Sequence, residues 1–482
     1  MTSFDDKQRN PIVVRHLIDG AWVDGDGHVE TRSPYSGELV GQVAKGSLAL
    51  VEQAIVAARA AAPRVAAVPP HERARILHQV SRLIVERADE IGIVMARETG
   101  KAVKDATGEV RRSQDTITLS AEEAVRIEGA HIPLDASEMG SGKIAMMMRF
   151  PVGVVGAVTP FNAPFNLACH KLGPALAAGN AVVLKPPPQA AAVVHLLAEI
   201  FVDAGIPAGA LNVVHGDIDI GKAIVQDPRV DFVTFTGSSS AGAHIKAATG
   251  LRRVALELGG AGQTIVHSDA DVSVAAPMCG RNAVRLAGQS CISVQTVYVH
   301  RTIAAAFVER LVREVKSLRV GDPLDGATDV GTVIDEAAAE RIVSWVSEAK
   351  AAGATILTGG QRNGAQVEPT VLINTRPDMQ VICKEVFGPV VSIIEYDEIE
   401  EAYAAVNASS YGLQCGLFTK SNEVTLQAYR TIRTGNLVVN GTSTWRTDQL
   451  AYGGVKDSGI GREGPRYAIR DMTEERILLF NL

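Results

Sequence analysis

The feature that most constrains this chain is an alternation, from Val152 onward, of short apolar runs with helix-length segments. The runs 152–159, 181–184, 211–214, 232–236 and 254–258 are rich in Val, Leu and Phe, and helical stretches such as 189–204 fall between them. Strands separated by helices pair in parallel, because a parallel crossover needs a connection of about a dozen residues or more. A second series follows, with strands 264–267 and 294–300, helices 272–287 and 304–315, and further strands to Val439. Two α/β units in series are therefore expected.

Ahead of them lie strand-like pieces at 16–23 and 39–43 and an Ala/Val-rich helical stretch at 51–67. Apolar Ile76, Val80, Leu83, Ile84, Ala88 and Ile91 recur at spacings of three and four, which predicts one amphipathic helix over 72–98, opened by Pro69 and Pro70. Two segments fit neither unit: KIAMMMRF at 143–150, after Gly140-Ser141-Gly142, and the apolar stretch 475–482. Exposed apolar edge strands are a liability unless something pairs with them. They are expected to pair with each other or across a subunit boundary; the alternative is that they extend the main sheet.

Charge and cysteine usage narrow the function classes. With a net charge of −7 and no long Lys/Arg run, neither nucleic acid nor an anionic membrane is an expected partner. Cys169, Cys279, Cys291, Cys383 and Cys415 are odd in number and scattered, which suits a reducing cytoplasm and no disulfide framework. Their spacing matches no zinc site, so no metal is expected. The segment 1–10 is polar, without the basic start and apolar stretch of a signal peptide, and the apolar stretch 190–204 carries His195, Glu199 and Asp203, so no membrane span is expected.

Five short motifs carry chemistry. Cys291 sits in Gly288-Gln289-Ser290-Cys291-Ile292, between a helix and a strand; alone, such a cysteine is more often a small buried hydrophobe. Glu257 closes the strand 254–258 ahead of Gly259-Gly260, at the edge where parallel sheets bind ligands; a surface Glu before a turn is the even alternative. Asn162, in Thr159-Pro160-Phe161-Asn162, is placed to donate to an oxyanion or simply to cap the next helix. Phe235-Thr236-Gly237-Ser238 joins a strand to a helix N-terminus, a natural phosphate site without the full glycine fingerprint. Lys384-Glu385-Val386-Phe387-Gly388-Pro389 offers a carboxylate and an aromatic ring beside a turn, otherwise an ordinary loop.

Taken together and in this order, from the N-terminal strands to Gly453-Gly454-Val455-Lys456-Asp457-Ser458-Gly459, these motifs resemble the aldehyde dehydrogenase superfamily over nearly the whole chain. The pattern looks like the branch holding lactaldehyde, phosphonoacetaldehyde and non-phosphorylating glyceraldehyde-3-phosphate dehydrogenases. The resemblance implies an α/β fold with a Rossmann-like NAD(P)-binding domain (1–127 and 148–258), an α/β catalytic domain (259–455) and a small β oligomerisation element (128–147 and 469–482), assembled as a homodimer or homotetramer. It implies that Cys291 attacks the aldehyde, that Asn162 and the Cys291 N–H hold the oxyanion, and that Glu257 activates water to hydrolyse the thioester. It assigns Lys185, Gly237, Ser238, Glu385, Phe387, Thr159 and Pro160 to the cofactor, NAD or NADP.

Pro188 stands where many NAD-preferring members place a Glu, which removes both a ribose contact and a charge that would repel a 2′-phosphate. By motif position Arg446, Tyr452, Ser290, Ile292, Ala163 and His170 line the substrate pocket, with Arg112 assisting. A guanidinium there suits a small aldehyde carrying an anionic group; a structural ion pair of Arg446 within its own loop is the equal alternative. A thiol hydrolase using His170, a CoA-acylating enzyme and a non-catalytic binding protein are the rival functions, disfavoured by the cofactor motifs, by Glu257 and by the intact Cys291–Glu257–Asn162 set respectively.

Overall fold

The computed structural model describes residues 10–482, so the polar stretch 1–9 lies outside the described residues. Two large sheets organise the chain. The first has eight strands in the order Gly459–Ile460, Arg253–Glu257, Phe232–Thr236, Val154–Val158, Ala181–Lys185, Leu211–Val213, His16–Ile18 and Ala21–Val23. Its five central strands run parallel. All five residues of Ala181–Lys185 are buried, as expected for a strand covered by helices on both faces. At one edge an antiparallel hairpin, His16–Ile18 with Ala21–Val23, turns at Asp19 and Gly20, whose φ values of 50° and 80° supply the two left-handed residues of a tight hairpin turn.

The second sheet has seven strands in the order Thr355–Thr358, Thr370–Ile373, Val390–Tyr396, Thr296–His300, Gln263–Val266, Gln414–Phe418 and Asn436–Val439. All pairings but the first are parallel. Each sheet has its own core: Leu172, Phe201 and Leu184 belong to the first, and Phe307, Val297 and Ile342 to the second.

Thr473–Asn481 pairs antiparallel with Lys143–Pro151 along its full length, and Ala130–Ile132 adds a third strand. The segments 143–150 and 475–482 thus pair with each other and do not extend either main sheet. Ile144, Met146, Met148, Ile477, Leu478, Leu479 and Phe480 remain exposed on it.

Two expectations need correction. The stretch 72–98 is two helices, Pro70–Glu86 and Ala88–Thr99, broken at Arg87 (φ −102°, ψ 7°). No Gly or Pro marks the break. Arg87 instead bridges Glu90 and, 3.1 Å away, Glu199 on the helix Ala191–Asp203. The helix expected over 272–287 stops at Val284, because Leu286 and Ala287 turn left-handed, with φ of 58° and 51°. Each such residue costs about 1–2 kcal/mol, and the turn delivers Gly288 and Cys291 to the site. The helix Val103–Ala124, which the sequence reading did not delimit, buries Ala106, Val110, Ser113 and Ile117 on one stripe. Among the described residues no helix is long and apolar enough to cross a membrane.

Candidate active site

The carboxyl edge of the first sheet carries Lys185, Thr236 and Glu257 at strand ends, with Val158 level with Lys185 and Thr236 level with Glu257. The loops entering the second sheet at its amino edge carry Cys291 before Thr296–His300 and Glu385 and Phe387 before Val390–Tyr396. Contact between the edges is close: Gly260 donates its N–H to Glu385 Oε1 at 3.0 Å. A Cβ on Gly260 would run into the Cys291 carbonyl, so this approach requires a glycine.

One cavity collects Asn162, Ala163, Ser290, Cys291, Ile292, Arg112, Arg446 and Tyr452. Cys291 is partly exposed, and its Sγ lies 3.2 Å from the Tyr452 hydroxyl. Desolvation pushes the thiol up to about 12; the Tyr452 hydrogen bond and Arg446 oppose this, while Glu385 and Glu257 add to it. Asn162 donates one amide N–H to the Gln289 carbonyl at 3.1 Å, which leaves its second N–H for a ligand.

Glu257 does not line this cavity. It is 4% exposed, and its Oε2 has no hydrogen-bond partner. Burial, and then the charge of Glu463, raise its pKa well above the carboxylate range, against Lys171, Arg446 and Arg462. Glu463 accepts from Lys171 Nζ at 2.5 Å and Arg446 Nη2 at 2.9 Å, and these cations hold it low despite its burial. Of the two carboxyls, Glu463 is therefore the one whose charge its surroundings favour, and Glu257 the more basic.

The same contacts decide the Arg446 alternatives. It does make an ion pair, with Glu463 and not within its own loop, and its guanidinium sits 3.9 Å over the Tyr452 ring. Arg446 also lines the cavity; its Nη1 makes no hydrogen bond among the described residues, and its buried Nε has no partner, so the guanidinium keeps donor capacity. His170 is not on the cavity wall. It is buried behind Arg446, with Nε2 3.2 Å from Asp448 Oδ1 and 3.0 Å from Arg446 Nη2. Desolvation and then Arg446 lower its pKa; its place behind Arg446, off the cavity lining, is that of a support and not of the expected substrate contact. Arg112 is exposed on the cavity rim and makes no ion pair, whereas Arg285 on the same wall is paired with Asp105 at 2.9 Å.

The residues expected to hold the cofactor sit along the carboxyl edge and its partner loop. Lys185 is buried and its side-chain amine makes no hydrogen bond; desolvation lowers it to about 8, with Asp217 opposing. Thr159 and Thr236 have buried hydroxyls with no partner. A Cβ on Gly237 would strike the Phe235 ring, so the turn into the helix Ser239–Thr249 needs a glycine. Ser238 caps that helix, accepting from Ala241 N at 3.2 Å; its hydroxyl is committed to the helix, and a ligand there would meet the helix N-terminus. Glu385 is raised to about 7 by burial, with the Gly260 N–H and Arg341 lowering it, and Phe387 (φ 50°) meets Phe161 edge-on at 5.9 Å. Pro160 follows Thr159 on the same loop. Unpaired donors, a phosphate-sized turn and a buried carboxylate fit a dinucleotide.

The sequence reading missed Lys101, Glu109, Lys171 and Glu463, which form two buried ion pairs around the site, and Asp448, which is hydrogen-bonded to His170. Lys171 gave the one available signal, a lysine inside the largely apolar, wholly buried helix Pro164–Ala177.

Comparison with known proteins agrees with this geometry. Residues 22–478 match the model of the aldehyde dehydrogenase family. A 3-sulfolactaldehyde dehydrogenase of Priestia aryabhattai is 44% identical over 96% of this chain and 97% of its own. The crystal structure of aldehyde dehydrogenase 21 from Physcomitrella patens, in complex with the reaction product succinate, superposes with a TM-score of 0.96 at 37% identity, over 98% of this chain and 99% of that one. That of the NADP-dependent glyceraldehyde-3-phosphate dehydrogenase from Bacillus halodurans, complexed with NADP, gives 0.95 at 36% identity, over 98% and 100%. The chain belongs to the aldehyde dehydrogenase family and is an NAD(P)-dependent oxidoreductase acting on aldehydes.

Proposed function

We propose that the enzyme oxidises a small anionic aldehyde to its carboxylic acid through a thioester on Cys291. The observation that carries this reading is the one cavity that joins Cys291 and Asn162 to two guanidinium groups, the unpaired Arg112 and Arg446, whose Nη2 alone is taken up by Glu463. Cys291 attacks the carbonyl carbon as the thiolate. The Tyr452 hydroxyl, 3.2 Å from Sγ, stabilises the anion that burial otherwise disfavours. The remaining Asn162 N–H and the Cys291 N–H hold the oxyanion. Bound NAD or NADP supplies the hydride acceptor, with Lys185, the Gly237 turn, Thr159, Pro160, Glu385 and Phe387 holding it. Glu257, made more basic by its burial and by the charge of Glu463, then takes a proton from water as that water attacks the thioester.

Anionic relatives support the substrate class: similar proteins are named for sulfolactaldehyde, sulfoacetaldehyde and glyceraldehyde 3-phosphate. Arg112 and Arg446 take the anionic group. The first sheet forms the cofactor domain and the second the catalytic domain. The three-stranded sheet, with its exposed Met146, Leu478 and Phe480, is the surface of a homodimer or homotetramer in the cytoplasm. The test is nucleotide reduction over matched anionic and neutral aldehydes. The reading expects Arg112→Ala to raise KM for the anionic aldehydes and leave the neutral ones unchanged; equal effects on both would refute it.

A further inference from the structure

We infer that the buried ion pair Lys101–Glu109 positions Asn162 for the oxyanion; this rests on the reading of Asn162 given above. Lys101 follows Gly100, the left-handed cap (φ 74°) of the helix Ala88–Thr99, and Glu109 lies on the helix Val103–Ala124. Their side chains are only 6% and 8% exposed and form an ion pair. Neither charge stops at the other. Lys101 Nζ donates to the Asn162 carbonyl at 2.7 Å. Glu109 Oε1 accepts the N–H groups of Phe165 and Asn166, both at 3.1 Å, in the first turn of the helix that follows Asn162. The pair therefore grips the Asn162 loop from both ends.

The grip belongs to a closed ring. Asn162 Nδ2 donates to the Gln289 carbonyl, and Gln289 Oε1 accepts from Ile334 N at 2.8 Å. Two residues before Ile334, Thr332 N donates to the Gly100 carbonyl at 2.9 Å, which returns to Lys101. Gly100 packs so tightly on Thr332 that a Cβ there would overlap its hydroxyl. Asn162 and Gln289, two residues before Cys291, are thus set by one circuit that Lys101 completes. An oxyanion donor is effective only when fixed before charge develops, because a donor that must reorient during the reaction loses its advantage.

The step to measure is the first-turnover rate constant of nucleotide reduction at saturating aldehyde, read from the time course and not from its amplitude, so that unfolded protein does not count. Lys101→Met should lower this rate about 10–100-fold, below the roughly 10²–10³-fold expected for losing the donor itself, and Lys101→Arg should restore part of it. In an Asn162→Ala background Lys101→Met should change the rate less than about 2-fold, since two residues acting through one donor are not additive. If Lys101→Met leaves too little folded protein, because Glu109 is stranded as a buried charge, Lys101→Met/Glu109→Gln removes both charges and should show the same loss. A wild-type rate in these variants, or losses that multiply with Asn162→Ala, would overturn the clamp. A wild-type rate in Asn162→Ala alone would instead remove the reading on which it rests.

Discussion

The two edges that face each other across the site are built differently. The carboxyl edge of the first sheet presents residues fixed by regular structure: Lys185 and Glu257 end strands, and Gly237 and Ser238 begin a helix. The amino edge of the second sheet presents loops. Cys291 follows two left-handed residues, Leu286 and Ala287, and Phe387 is itself left-handed. Strand ends and helix starts give a static binding surface, while strained loops need outside contacts to hold them. The proposed nucleophile and the cofactor contacts Glu385 and Phe387 therefore depend on distant partners, while the proposed base and the cofactor contacts of the first sheet depend mainly on their own strands and helix start.

That contrast can be broken or sharpened by mutation. Cys291→Ala should lower kcat by about 10⁴-fold or more, since no other thiol lines the cavity; residual turnover within about 10-fold of wild type would place the chemistry elsewhere. Asn162→Ala should cost about 10²–10³-fold in kcat with the thiol still titratable. Arg112→Ala should raise KM for an anionic aldehyde about 10-fold, a loss of about 1.4 kcal/mol, leaving neutral aldehydes alone. Glu463→Gln should act on pH dependence. Activity requires deprotonated Glu257, so it rises with pH through the pKa of Glu257. Removing the Glu463 charge leaves Lys171 and Arg446 beside Glu257, lowers that pKa and moves the acidic limb to lower pH. A limb that stays put would assign it to another group. The same variant strands two buried cations and should lose stability, by about 3–5 kcal/mol.

Much of the carboxyl edge was legible in the sequence. Alternating strands and helices located the parallel sheet, the rule that ligands gather at the carboxyl ends of its strands singled out Glu257, and the strand-turn-helix pattern singled out Gly237; Thr159 and Lys185 were assigned through the family resemblance. The pairing of 143–150 with 475–482 followed from two apolar strands that no other sheet claimed. The amino edge was less legible. Nothing in Leu286-Ala287 favours a left-handed turn, so the helix was extended too far. The buried charges were invisible for a related reason: Lys101 meets Asn162 across 61 residues, and Lys171 meets Glu463 across 292. No local pattern encodes such pairs. His170 was placed on the pocket by motif position, but its ring is held behind Arg446 by Asp448.

The division of labour between Cys291 and Glu257 is tested most directly by pre-steady-state nucleotide reduction in Glu257→Gln with an anionic aldehyde. The account predicts a burst close to one reduced nucleotide per titrated Cys291, as the thioester forms, followed by a steady state slowed about 10²–10⁴-fold for want of a base. A steady-state rate equal to wild type would contradict it, because hydrolysis would then proceed without Glu257.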